Sequence, residues 1–279
     1  NKGDEVITID PCFVSYKSIM KFLGIKGVFA PLREENKFRL DPKDIKRLVT
    51  KKTKAILINS PHNPTGSMMT EQEIKEVYDI AEENNLWLLS DEVYGRMVFS
   101  DANTKFSSPS QYDHCMKRTV VIHSFSKSYA MTGWRIGAIT APKELVRRMT
   151  LLMETLASCV SPFIQAAAEE AMASDQKYID EMIKTFRERR DFMHSELNRL
   201  PMISSLKPEG AFYIFSNVRE TNLTDIEFSE RLLNEHGVAA CPGSFFGENG
   251  KGYVRYCFAT DVESIREGIS RIEKFIKSI

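Results

Sequence analysis

Ala55-Ile56-Leu57-Ile58-Asn59 and Trp87-Leu88-Leu89-Ser90 are two short apolar runs, and Thr70-Glu71-Gln72-Glu73 lies between them. The middle segment is a capping box, with Thr70 as N-cap and Glu73 as its reciprocal partner, ahead of a helical pattern over Ile74 to Glu83. The outer runs carry almost no polar alternation, the pattern of strands buried on both faces. Strand, capped helix and strand in this order predict a parallel pair joined by a crossover helix.

The same texture extends outward. Glu5 to Ile9, Gly27 to Ala30, Thr119 to His123 and Ile136 to Thr140 are further candidate strands, and Asp41-Pro42 places an N-cap and an N1 proline before a helix over Lys43 to Val49. The fold class is therefore α/β, a mainly parallel, doubly wound sheet. From Pro142 the texture changes. Lys143 to Leu156 and Pro162 to Leu200 read as long helices, followed by short strands (Ala211 to Phe215, Gly252 to Phe258) and two helices (Asp225 to His236, Val262 to Ile276). This tail is expected to form a smaller C-terminal α+β domain. Residues 1–195 are assigned to the large domain and 196–279 to the small one.

Composition narrows the function. The 279 residues carry 38 Lys plus Arg and 38 Asp plus Glu, a formal charge of zero that favours neither nucleic acid nor an anionic membrane as partner. The five cysteines are scattered, with no C-x-x-C pair, which points to a reducing cytoplasm rather than a disulfide framework. The five histidines have no metal-ligand spacing, and no apolar run has the length of a membrane span.

In a doubly wound sheet, ligands gather at the carboxyl ends of the strands. Three marked segments fall there: Asn63-Pro64-Thr65-Gly66, Asp91-Glu92-Val93-Tyr94 and Ser124-Phe125-Ser126-Lys127. A lone lysine in a polar loop is usually a surface residue. Lys127 instead follows a buried strand, and an amine held near other cations can act as a nucleophile toward an aldehyde and then as a general base. A Walker-type phosphate loop is disfavoured, since no glycine lies in the six residues before Lys127. Arg135 is either a surface ion-pair partner or, with Ser124 and Ser126, a phosphate clamp. Asp91 either caps a turn or pairs with a protonated ring nitrogen. Tyr94 and Asn63 are turn residues or donors to a phenolic oxygen. Phe13 is a core aromatic or a stacking face. Arg255, inside the apolar strand Tyr253 to Phe258, needs an internal acid or a substrate carboxylate. Amine, carboxylate, phenol, amide and anion clamp are together the set that pyridoxal-phosphate chemistry uses.

These segments, with Thr132-Gly133-Trp134-Arg135-Ile136-Gly137, Pro208-Glu209-Gly210-Ala211-Phe212-Tyr213 and Val254-Arg255, resemble in order the class I/II aminotransferases. These are fold-type I pyridoxal-phosphate enzymes of the aspartate aminotransferase family. The resemblance covers essentially the whole chain. It implies Lys127 as the Schiff-base lysine and proton shuttle, and Asp91 on the pyridine nitrogen. It implies Tyr94 and Asn63 on the phenolic oxygen, and Ser124, Ser126 and Arg135 on the phosphate. Phe13 stacks on the ring, and Arg255, with Asn63, binds the substrate α-carboxylate. The implied reaction is a ping-pong transfer between an amino acid, of aspartate or aromatic type, and a 2-oxo acid, in a homodimer. Another pyridoxal-phosphate activity on the same fold (a carbon–sulfur lyase or a synthase) and an inactive truncated relative are the alternatives. The resemblance further implies a preceding segment of roughly a hundred residues, a small domain's worth, so that the large domain is expected to be incomplete at its N-terminus.

Overall fold

The computed structural model describes residues 1–279. Six strands form the main sheet: β1 (Glu5–Asp10), β2 (Lys26–Pro31), β3 (Thr53–Asn59), β4 (Trp87–Asp91), β5 (Thr119–Ser124) and β6 (Gly137–Thr140). Their order is β2-β1-β3-β4-β5-β6, with the first five parallel and β6 antiparallel to β5. Strand order reverses between β1 and β3, so the carboxyl ends of these two strands border the crevice where an α/β sheet offers a ligand site.

The connecting helices are α1 (Val14–Phe22), α2 (Pro42–Leu48), α3 (Glu71–Glu83), α4 (Ser110–Asp113) and α5 (Phe125–Ser128). Asp41 caps α2 by accepting from Lys43 N, and the Thr70–Glu73 capping box starts α3. Ile7, Ile9, Ile45, Ile56, Ile58, Ile74 and Val77 are buried together where α2 and α3 cover the sheet. α1 carries no side-chain cap, and the sequence does not mark its start.

Three helices follow: α6 (Lys143–Ala157), α7 (Pro162–Ala173) and α8 (Lys177–Leu197). The single helix expected over Pro162 to Leu200 is therefore two. Asp175 Oδ1 accepts from Lys177 N at 3.0 Å, and Gln176 Nε2 donates to the carbonyls of Ala171 and Ser174. These side chains satisfy backbone groups that a continuous helix would pair, and so stabilise the break.

The C-terminal part holds β7 (Ser204–Ser205), β8 (Tyr213–Asn217), α9 (Asp225–His236), β9 (Cys241–Pro242), β10 (Tyr253–Cys257) and α10 (Val262–Ser278). Its strands form an antiparallel sheet ordered β7-β8-β10-β9. Phe228, Leu232, Val254, Ile272 and Phe275 form part of its core.

The two sheets are tied at Gly66. Its carbonyl accepts from Glu209 N at 2.9 Å and Gly210 N at 3.1 Å. Gly66 has φ +70°, and a Cβ there would lie 2.5 Å from Pro208 Cβ, so both conformation and space demand glycine.

Candidate active site

Six segments converge on a cavity of about 320 Å³ at the carboxyl ends of the main-sheet strands. Phe13 and Tyr16 come from the turn and helix after β1. Asn59 and Asn63 come from the end of β3 and the loop after it, and Asp91 and Tyr94 from the end of β4. Ser124 ends β5 and Lys127 follows in α5, while Tyr213 and Arg255 reach in from β8 and β10. That volume lies at the lower end of small-molecule sites.

Asp91 is fixed on both oxygens. Oδ1 accepts from Val93 N at 3.1 Å, and Oδ2 accepts from the Tyr16 hydroxyl. Burial raises the carboxyl's pKa, while the bonds from Tyr16 and Val93 pull it back down. Asn59 holds the neighbouring backbone: its Nδ2 donates to the Asp91 carbonyl at 2.9 Å and its Oδ1 accepts from Asn63 N at 3.0 Å.

Arg255 lies with its guanidinium 4.3 Å from the Tyr213 ring centroid and 4.8 Å from that of Phe246. Its Nη1 donates to Asn63 Oδ1 at 2.9 Å, while its Nε is buried without a partner. A guanidinium only donates, so the Asn63 carbonyl must face it and the Asn63 amide N–H groups are left to donate elsewhere. Nη2 makes no protein hydrogen bond and is left to donate to an acceptor such as a carboxylate oxygen.

Lys127 sits in the short helix α5 with its Nζ 5.3 Å from the Phe212 ring centroid. Burial lowers its pKa. Cys257 opposes that shift, and the positive charges of Arg255 and Arg135 add to it. An amine so placed is a better nucleophile near neutrality than a solvated lysine.

Seven of the nine side chains singled out in the sequence line this cavity: Phe13, Asn63, Asp91, Tyr94, Ser124, Lys127 and Arg255. Ser126 and Arg135 do not. Ser126 is buried, and its N–H donates to the Ser124 hydroxyl at 3.1 Å. Arg135 is exposed, has φ +53° and donates to the Thr132 carbonyl at 3.0 Å. Tyr16, Asn59, Val93, Ile122 and Tyr213 complete the lining, and the sequence alone assigns them no role. Tyr16 is three residues beyond Phe13, a spacing that shares a helix face. Tyr213 ends a segment quoted above without a role.

Each type of group has a definite capacity. The aromatic walls and the Asp91 carboxylate suit a flat heteroaromatic ring carrying a protonated nitrogen. Lys127 suits an aldehyde carbon, and Arg255 suits a carboxylate. No cluster of metal-ligating side chains occurs, and no helix is long and apolar enough to cross a membrane.

The family model for aminotransferase class I and II matches residues 1–272. The aspartate aminotransferase of Pyrococcus abyssi is 42% identical over 277 residues, which are 99% of this chain and 70% of that protein. The aromatic-amino-acid aminotransferase 2 of Thermococcus litoralis is 40% identical over 277 residues, with the same shares. Among solved structures, the aromatic aminotransferase of Pyrococcus horikoshii superposes with a TM-score of 0.95 at 40% identity, over 100% of this chain and 74% of that one. The aspartate aminotransferase of Thermus thermophilus with maleate gives 0.92 at 31% identity, over 98% and 70%.

Proposed function

The chain belongs to the class I and II aminotransferases, and we propose that it moves an amino group between an L-amino acid of aspartate or aromatic type and a 2-oxo acid, in two alternating half-reactions, with pyridoxal 5′-phosphate as carrier. The observation that carries this reading is the convergence of the Lys127 amine, the Asp91 carboxylate and the Arg255 guanidinium on one cavity from three separate elements. The substrate class follows the names of the relatives, which include both aspartate and aromatic aminotransferases.

When bound, pyridoxal phosphate supplies a ring that accepts the electron pair left on the substrate carbon. The protein's part is binding, orientation and proton handling. Lys127 Nζ would hold the cofactor through its aldehyde carbon. As a free amine, Lys127 would be the base that takes the substrate's α-proton and delivers it to the cofactor within the same half-reaction. Asp91 holds a proton on the ring nitrogen. The Asn63 amide, its carbonyl fixed by Arg255, and the Tyr94 hydroxyl donate to the phenolic oxygen. Phe13 stacks on the ring face. Ser124 would take the phosphate; Ser126 and Arg135, the other residues expected on it, stand outside the cavity lining. The Arg255 guanidinium, through its free Nη2, would take the substrate carboxylate, with Asn63 beside it.

We assign residues 1–195 to cofactor binding and 196–279 to the smaller domain, and a cytoplasmic location fits the five unpaired cysteines. A homodimer is supported by α6, which buries none of its residues and exposes Leu151, Leu152, Met153 and Leu156. The test is formation of oxo acid from aspartate and from phenylalanine, with 2-oxoglutarate as acceptor and Lys127→Ala as control. Lys127-dependent product from either donor supports the reading; its absence with both overturns it.

A further inference from the structure

The Tyr94 hydroxyl oxygen lies 3.0 Å from that of Tyr213, and both side chains are buried. Each hydroxyl has the other as its only protein partner in the structure. One of the two must donate, and the other keeps its proton for a third group.

The surroundings break this symmetry. Tyr213 stands on β8 two residues from Phe215, which is the register partner of Arg255 on β10. Tyr213 and Arg255 are therefore diagonal neighbours on one face of the sheet, and the guanidinium rests 4.3 Å from the Tyr213 ring centroid. A cation against a phenol ring stabilises negative charge developing on its oxygen, which makes that O–H the stronger donor. The Tyr94 ring meets Phe212 and Tyr213 edge to face, at 5.5 Å and 5.9 Å, with no cation on its face.

We infer that Tyr213 is a positioning residue for Tyr94: its hydroxyl donates to the Tyr94 oxygen and so turns the Tyr94 proton into the cavity. The inference rests on the role proposed for Tyr94 as donor to the cofactor's phenolic oxygen. Without Tyr213, the Tyr94 hydroxyl rotates freely and offers lone pair or proton alike. With it, only the proton faces the pocket, and the donor is strengthened because its own oxygen accepts a bond.

The consequence is read at the nitrogen that Lys127 contributes. When that nitrogen has lost its proton, the adjacent phenolic oxygen depends most on an outside donor. Weakening the donor therefore raises the pH at which the nitrogen deprotonates. The experiment loads wild type, Tyr94→Phe, Tyr213→Phe and the double variant with pyridoxal phosphate, without amino acid. The midpoint of the visible-band change with pH is then compared, with thermal unfolding as a check on folding. Tyr94→Phe is expected to raise the midpoint by about one pH unit, the size of one net hydrogen bond. Tyr213→Phe, which keeps the ring beneath Arg255, is expected to raise it by about half as much. The double variant is expected to match Tyr94→Phe alone. If Tyr94→Phe moves the midpoint and Tyr213→Phe does not, or if the two shifts simply add, the inference is overturned while the Tyr94 role stands. If Tyr94→Phe leaves the midpoint unmoved, the Tyr94 role itself fails, and the inference with it.

Discussion

Replacing Arg255 by lysine keeps the charge and removes the fork, which isolates geometry from electrostatics. In the structure the guanidinium donates Nη1 to Asn63 Oδ1 at 2.9 Å and makes no protein hydrogen bond through Nη2. An ammonium on a flexible stem cannot hold the asparagine carbonyl and present a second donor in a fixed plane. The substrate carboxylate then loses about one charge-assisted hydrogen bond, worth roughly 1.5–3 kcal/mol, or about 10- to 150-fold in kcat/KM for the amino donor. Cofactor affinity, measured by titrating the visible band, is expected to stay close to wild type, because Asp91, Tyr94 and Lys127 are untouched. The assay is steady-state transfer from aspartate and phenylalanine at saturating oxo acid. An unchanged kcat/KM, or a loss matched by an equal fall in cofactor affinity, would refute the assignment of Arg255 to the substrate.

Other expectations follow from local geometry. Asp91→Asn keeps a partner for Tyr16 but cannot hold the ring-nitrogen proton. The rate constant for transfer should fall by about 10²–10³-fold with little change in thermal midpoint, and a near wild-type rate would exclude the role. Gly66→Ala places a Cβ against Pro208 at φ +70°, so urea unfolding should show a loss of about 2–4 kcal/mol. His62 is buried with Nδ1 2.7 Å from Thr65 Oγ1, and burial pushes its pKa down from 6.5 to about 3. The unfolded chain therefore binds the proton first, and stability drains away as pH falls from 6.5 toward 3. About 2 kcal/mol should be gone by pH 5, and His62→Gln should lack that part of the acid slope in urea melts at the two pH values.

The main sheet was legible because its strands are continuous apolar runs and its helices α2 and α3 begin with caps that can be read one residue at a time. α1 was not, since Phe13 offers no capping oxygen and Val14-Ser15-Tyr16 has no helical signature; the segment becomes a helix in packing Met20 into the protein. The break between α7 and α8 carried a signal, the Ser174-Asp175 pair, that was outweighed by the helical periodicity on either side. Side chains that follow their own strand ends, such as Asp91 and Lys127, could be placed from order alone. The Tyr94–Tyr213 contact spans 119 residues and depends on how the two sheets dock, which no local pattern records. Arg135 shows the converse: its spacing from Lys127 is suggestive, but its left-handed backbone carries the guanidinium to the Thr132 carbonyl, outside the cavity lining.

The most direct measurement is to incubate the protein with pyridoxal phosphate, reduce with borohydride, and locate the phosphopyridoxyl group by peptide mass mapping. Lys127 should carry it in near-stoichiometric yield, and prior addition of a competent amino donor should suppress the labelling. Modification spread over surface lysines such as Lys51 and Lys52, with Lys127 unlabelled, would contradict the assignment on which the proposed reaction depends.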